Sequence, residues 1–457
     1  MSDRTIPTGL PLSPTISDRT LELATMRRVR LRILPLLSLG YIFAYLDRSN
    51  VGIAALQMNQ ELGFTPAVFG LGAGIFFLGY AAFEVPSNLI LLRTGARIWM
   101  ARIAITWGII AALTMLVRSA SQFYLARLLL GLAEAGFFPG IVYYISCWFP
   151  APYRARALAA VLIGSPISQV LGGALGGALL GLSGHGGLSG WQWLFLLEGI
   201  PSLLLGIAVL RFLTEQPNEA RWLSAQQRGW LTARLKDDEP RVAGTPTSPL
   251  RALVNPYVWI LTVPYFALFS VTNAYISWAP TLVRDALGTR DTTTGLVIAG
   301  IAVIAGALYP ISGRLSDRRG ERCAQAAFGL ALQCAGCVGV ALFPHSLLRV
   351  LALALIPMGL PVFMAPFWCL PSKFLRGPSS AAGIALINTI GTIGGFFGPS
   401  IVGILKQATG GDAGAFTGLA ALALSGALIC YALRKAAFLN EAPVAAAEAS
   451  PAATLPE

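Results

Sequence analysis

Charge is scarce in this chain. Asp, Glu, Lys and Arg make up 12% of its 457 residues and apolar types 55%, against about 25% charged in an ordinary soluble domain. With a mean hydropathy of +0.67, that shortage excludes a water-soluble globular body and leaves most of the chain to lipid. Histidine is nearly absent, with only His185 and His345, and neither can complete a zinc set with the Cys334–Cys337 pair. The six cysteines fall in or beside apolar stretches and read as small packing residues. There is no G-x-S-x-G elbow, no phosphate-cradling loop and no paired-aspartate metal cluster, so no catalytic residue, no metal and no organic cofactor is expected. The first 26 residues are polar and rich in Ser, Thr and Pro. They lack an apolar core ending at a small-residue cleavage site, so no removable signal peptide is expected.

What the chain does have is apolar stretches long enough to cross a bilayer, which takes about 20 residues each. Twelve are predicted as helices, at 33–57, 66–91, 98–117, 121–148, 157–182, 191–213, 256–283, 292–312, 323–344, 347–371, 380–405 and 413–434. Most of the 33 Lys and Arg lie at the termini or in even-numbered loops, among them Arg27, Arg28, Arg93, Arg97, Arg154, Arg156 and Arg314 to Arg322. Basic residues favour cytoplasmic loops, so both termini are expected in the cytoplasm. The formal net charge of +12 is thereby an orientation signal, and no nucleic-acid partner is expected. The fold class is an all-α membrane protein whose twelve transmembrane helices form two pseudo-symmetric halves of six. Its parts are a polar tail over 1–29, a first bundle over 30–213, a cytoplasmic linker over 214–255, a second bundle over 256–437 and an Ala/Glu/Pro-rich tail over 438–457 that is expected to be disordered.

Four charges interrupt the apolar stretches of the first bundle: Asp47 and Arg48 in the first, Arg127 and Glu134 in the fourth. A charge near the bilayer centre costs about 2.5–3.5 kcal/mol on insertion scales and survives where it faces a cavity or an ion path. At 100° per residue Tyr41, Tyr45 and Arg48 share one face while Asp47 turns toward a neighbouring helix; Arg127 and Glu134 share a face two turns apart. The four sum to zero, so an empty chamber can balance itself. If both carboxylates take up protons, two guanidiniums lose partners and a substrate carboxylate replaces them. Polar groups at similar depth are Tyr80, Ser165, Gln169, Asn273, Trp278, Trp368, Asn388 and Thr392. The other reading is that the four charges merely tie two helices together, although such pairs often gain little over apolar packing.

Several stretches carry a likeness. Gly313-Arg-Leu-Ser-Asp317-Arg318-Arg-Gly320-Glu-Arg322 in the second half, with a weaker copy over 88–97 where Leu92 replaces the acid, resembles the loop motif of the major facilitator superfamily. Tyr45-Leu-Asp-Arg-Ser-Asn50, the run 77–88, Arg127-xxx-Gly131-xx-Glu134-Ala-Gly-Phe-Phe-Pro139, the run 193–201 and Gly383-Ile-Ala-Leu-Ile-Asn388 are similar to its anion:cation symporter family, the tartrate-type permeases first and the phthalate-type ones next. That resemblance implies a proton-coupled symporter importing a small organic anion by alternating access. It makes Asp47 and Glu134 the proton-coupling carboxylates and Arg48 and Arg127 the anion-binding or gating arginines. Tyr45, Tyr80, Gln169 and Asn388 become substrate partners, and Gly313, Asp317, Arg318 and Gly320 a conformational latch. Ser165, Asn273, Trp278 and Trp368 join the substrate set by depth, the tryptophans either stacking on an aromatic substrate or lining the wall. Glu84 and Glu198 read as structurally bonded, Glu84 with a cavity role as alternative.

The expected partners are a small carboxylate substrate, protons and the lipid bilayer, for a monomer in a bacterial inner membrane. An exporter or uniporter on the same fold stays open, because direction follows gradients as much as residues. A membrane enzyme lacks its chemistry in this sequence, and a non-transporting sensor lacks a signalling domain.

Overall fold

The computed structural model describes residues 16–238, 254–319, 321–371 and 378–434. No strand occurs among them, and twelve helical spans are long and apolar enough to cross a membrane, matching the twelve predicted stretches in number and order. The first span is α1 (Ile16–Glu61), the second α2 (Pro66–Thr94) and the third α3 (Ala96–Leu113). The fourth is split into α4 (Ala120–Glu134) and α5 (Phe137–Trp148), and the fifth into α6 (Ala151–Leu162) and α7 (Gly164–Leu180). The sixth is α8 (Gly190–Phe212). After the linker helix α9 (Ala225–Asp237) come α10 (Pro256–Leu287), α11 (Asp291–Arg319), α12 (Arg322–Leu342), α13 (Leu347–Phe367), α14 (Pro378–Thr409) and α15 (Ala413–Leu433).

Several boundaries differ from expectation: the fifth span begins earlier, at Ala151, the eighth continues to Arg319 and so takes in Gly313 of the expected loop motif, and two differences concern the first half as a whole. Helix α1 begins inside the stretch read as a polar tail, because Met26, Val29 and Ile33 are buried in one cluster with Ala220, Leu223 and Leu231 of the linker. The linker's first part accordingly belongs to the first half: Trp222 stacks on Trp148 at 5.4 Å, Arg28 donates to Gln227 at 3.0 Å, and the backbone N–H of Ala151 donates to Asp238 at 2.7 Å. The expected tail over 438–457 and the rest of the linker, 239–253, lie outside the described residues.

The halves meet where side chains are smallest. Glycines let backbones approach in a medium that gives apolar burial no drive. A Cβ on Gly173 of α7 would stand 2.6 Å from the Gly295 carbonyl of α11, and one on Gly70 of α2 would stand 2.5 Å from the Pro399 carbonyl of α14. Among the described residues, most hydrogen bonds joining the halves lie toward the face away from the basic loops, while Tyr309 of α11 meets Ser165 of α7 deeper in the bundle. Gln57 donates to Asp291 at 2.8 Å, Arg284 to the Leu56 carbonyl at 2.6 Å, Thr292 to the Gly177 carbonyl at 3.2 Å, Ala67 N–H to Gln407 at 3.2 Å and Ser400 to the Gly70 carbonyl at 3.4 Å. The bundle is therefore sealed on the far face.

At the same far face, Asp412 precedes α15 and ion-pairs with buried Arg349 and, at 2.8 Å, with Lys406. Burial pushes its carboxyl up, but the two cations outweigh burial and hold it below the usual carboxylate range. A depressed acid stabilises the fold above its unfolded value of about 3.9 and loses that contribution as pH falls through its folded value. Asp412→Asn is expected to lower stability at pH 7 by about 1.5–3 kcal/mol, with the difference in Tm from wild type shrinking once pH drops below about 3.9; an unchanged difference across that window would contradict the pairing. Gly173→Leu is expected to fold yet fail to close the far face, read as new labelling of a cysteine placed at Ser49 by a membrane-impermeant thiol reagent. Unchanged labelling would show that the α7–α11 approach does not form the seal.

Candidate functional site

The fourth span breaks just after its glutamate. Ala135 leaves helical geometry and Gly136 takes φ +87°, a left-handed value that favours glycine. Ser87 donates to the freed Ala135 carbonyl at 2.7 Å and in turn accepts from Trp99 at 2.9 Å. Glu134 thus ends α4, where the helix dipole is negative and a carboxylate is disfavoured unless a cation offsets it. Arg48 of α1 is that cation: its Nε and Nη2 both donate to Oε1 of Glu134, at 2.9 and 2.5 Å. The guanidinium also lies over the rings of Tyr45, Phe76 and Tyr80, at 5.1, 5.4 and 5.0 Å, and Tyr45 packs on Tyr41 at 4.8 Å. The face predicted for α1 is the face observed. With both donors on one oxygen, Oε2 of Glu134 is buried without a partner.

Arg127 is more isolated. It is 2% exposed, its Nε and Nη1 have no hydrogen-bond partner, and its guanidinium lies 5.0 Å from the centre of the same Phe76 ring. Asp47 and Glu134 are within electrostatic reach, and so is the like charge of Arg48. Asp47 is buried with Oδ2 unpartnered, and Asn50, one turn on, is fully buried with both amide atoms unpartnered. The four charges converge in the first half, with one close pair and one arginine held mainly by longer-range attraction.

The second half contributes polar and aromatic groups. The Tyr265 hydroxyl donates to Asn388 at 3.3 Å, and its ring meets Phe367 at 5.3 Å and Trp368 at 5.0 Å. Tyr265 is within electrostatic reach of Tyr45, Tyr80 and Glu84, which brings Asn388 and Trp368 to the charged cluster. Tyr309 of α11 lies beside Ser165 and near Tyr45. Gln169 borders a narrow cleft with Ser49, Tyr275 and Ile298, just below the far-face seal. Two predicted residues stand apart. Asn273 spends its amide on the Phe269 carbonyl at 2.9 Å. Trp278 is 2% exposed, donates to the Pro399 carbonyl at 3.2 Å and packs edge-on against Phe69, so it belongs to the wall of the seal.

Sequence reasoning passed over Phe76, Asn50, Tyr265 and Tyr309. The tyrosines carried a usable signal, since a phenol inside an apolar span needs a partner. Phe76 carried none. Glu84 is buried within reach of Arg48, with no hydrogen bond among the described residues, and neither carboxyl oxygen of Glu198 has a partner. Among the described residues, the structural bond expected of each does not form. Of the latch, Gly313 lies in α11 and Arg318 is exposed, while the Asp317 side chain and Gly320 are outside the described residues. In the first copy, where Leu92 replaces the acid, Glu215 from the linker does the capping instead: it accepts from the backbone N–H groups of Ala96 at 2.6 Å and Arg97 at 3.0 Å.

The family model described as Major Facilitator Superfamily matches residues 37–399. A relative from Agrobacterium vitis named "Putative tartrate transporter" is 43% identical over 433 residues, covering 93% of this chain and 98% of its own. One from Acinetobacter baumannii named "Quinolone resistance transporter" is 38% identical over 412 residues, covering 90% and 95%. Among solved structures, the partially occluded inward-open xylose transporter XylE from E. coli has a TM-score of 0.70 over 89% of this chain and 98% of that one, at 15% identity, a likeness of fold alone.

A buried guanidinium with unpartnered nitrogens lowers the stability of the empty protein. Arg127→Met is expected to raise it by about 1–3 kcal/mol, measured as Tm in detergent without ligand; a fall in Tm would mean that the guanidinium is a strut.

Proposed function

The chain belongs to the Major Facilitator Superfamily, and from that premise we propose that it imports a small organic anion, tartrate-like in size and charge, together with protons. The observation that carries this reading is the arginine pair. Arg48 is held by a single oxygen of Glu134, and Arg127 presents buried N–H groups without a hydrogen-bond acceptor. Arginine's planar fork suits a carboxylate and keeps its charge throughout the cycle. The sugar-acid and dicarboxylate class fits because Tyr45, Tyr80, Tyr265 and Asn388 supply hydrogen-bonding groups around the cations. The name of the Agrobacterium relative points the same way.

The steps follow from partner exchange. Protonation of Glu134 removes the negative charge that holds Arg48, and a substrate carboxylate takes its place. Protonation of Asp47 does the same for Arg127 over a longer distance. Proton uptake and anion binding are then linked through shared partners. With both termini in the cytoplasm of a bacterial cell, the sealed far face is periplasmic and the site faces inward. Release follows when the protons leave, and the halves rock about the midplane to reopen outward. Two protons moving with a dianion carry no net charge; with a monoanion they carry one.

Export is the second reading, favoured by the relative named for quinolone resistance and by the aromatic wall of Tyr265, Phe367 and Trp368, which suits a flat ring. Reconstituted vesicles separate the two. In wild type, an imposed inward proton gradient is expected to drive tartrate accumulation. Asp47→Asn and Glu134→Gln are each expected to abolish accumulation while keeping counterflow exchange. Uptake that ignores the gradient would sink proton coupling. A thermal-shift screen with tartrate, galactonate, glucarate, phthalate and nicotinate at two pH values ranks substrates, since a true ligand stabilises by mass action.

A further inference from the structure

Glu198 is a membrane-embedded carboxyl that the transport cycle above leaves unused. It sits in α8, the sixth span, and both its oxygens are shut away with no hydrogen-bond partner. A carboxylate in that condition is costly in lipid, and such a residue in a span marks a functional path.

Its neighbour follows from the antiparallel register of α1 and α8. A Cβ on Gly40 would stand 3.2 Å from the Leu205 side chain, one on Gly176 of α7 would touch both Ile53 and Leu194, and one on Gly190 would stand 2.7 Å from the Gln57 side chain. Trp191 donates to Glu61 at 2.8 Å farther along. Each step up α1 is matched by a step back along α8, and between the Gly40–Leu205 and Gln57–Gly190 contacts Asp47 comes opposite Glu198. Asp47 is also the charged group within electrostatic reach of Glu198.

The other elements packed on α8 bring no competing charge to this level. On α3, Gly108 meets Gly199, and the residues around it, Ile105 to Ala112, carry no titratable group. Helix α7 has none along its length, and Arg102 of α3 lies two turns nearer the basic face, level with Leu205. Beyond Asp47 stand Arg127 and Glu134 of α4 and, next to Asp47 on α1, Arg48. Asn50, fully buried and one turn from Asp47 on α1, has an amide without a hydrogen-bond partner.

Two carboxyls facing each other in a dry interface cannot both ionise, and they titrate as a pair. We propose that Asp47 and Glu198 share one proton, so that Glu198 is a holding site behind Asp47, storing the proton that Asp47 gives up while the anion is exchanged. The transfer balances as one O–H bond broken on one carboxyl and one formed on the other, with no other reactant. This inference rests on the proton-coupled reading and adds a third carboxyl to it.

The test follows the buried carboxyl C=O stretch by infrared difference spectroscopy on the reconstituted full-length protein, with carbon-13 aspartate separating Asp from Glu. Glu198→Gln is expected to move the titration of the Asp47 band toward acid by about one pH unit or more, and Asp47→Asn to move the Glu198 band reciprocally. The pH profile of tartrate uptake is expected to shift acidward in Glu198→Gln. Bands that titrate identically with and without the other carboxyl would overturn the pair, and the Asp47→Asn arm decides alone if Glu198→Gln fails to fold. If wild-type uptake ignores the proton gradient, the symport reading falls. If it responds while the bands are unlinked, only the pair falls.

Discussion

The Arg48–Glu134 ion pair is the interaction on which the site depends. It is formed by a helix that ends where the bilayer offers no water, and by an arginine two residues from a buried asparagine. In water such a pair would be worth little. Among apolar helices neither partner can be left alone, because an unpaired charge costs several kcal/mol. That asymmetry makes the pair a two-position device: any event that neutralises Glu134 forces Arg48 to find another anion. The rings of Tyr45, Phe76 and Tyr80 lie around the guanidinium, and in the proposed cycle they hold it in place whichever anion is bound, since cation–π attraction does not depend on the anion.

The fold was largely legible because a membrane imposes coarse rules. Span length located eleven of the twelve helices to within about two helical turns at either end, α1 being the exception, and the helical period placed Tyr41, Tyr45 and Arg48 on one face. What stayed hidden was finer. The break after Glu134 falls in an apolar run marked by Gly136 and Pro139, and both residue types also occur inside unbroken spans, as Gly74 and Pro86 do in α2. Asn273 and Trp278 share a depth with the site, yet the first satisfies itself on its own helix and the second faces the seal. Depth alone does not say which way a side chain points. Helix α1 was begun too late because Met26 and Val29 are ordinary in a polar context, and only the linker's apolar face gives them something to bury against.

The far-face seal is a result of composition. Where α7 meets α11 and α2 meets α14, glycine removes the side chains that would keep backbones apart, and few hydrogen bonds are needed to hold the contact. Away from that face the described residues join the halves more sparsely, with Tyr309 beside Ser165. Closure on one side is built from shape, which is reversible at low cost. The polar contacts at that rim, such as Gln57 with Asp291, then act as position markers more than as glue.

Glu215 ties the first half to the connector. The turn before α3 is gripped by a carboxylate that belongs to the crossover segment joining the halves, so a pull on that segment is delivered straight to the start of the third span. The connector thereby has a fixed point of attachment on the first bundle.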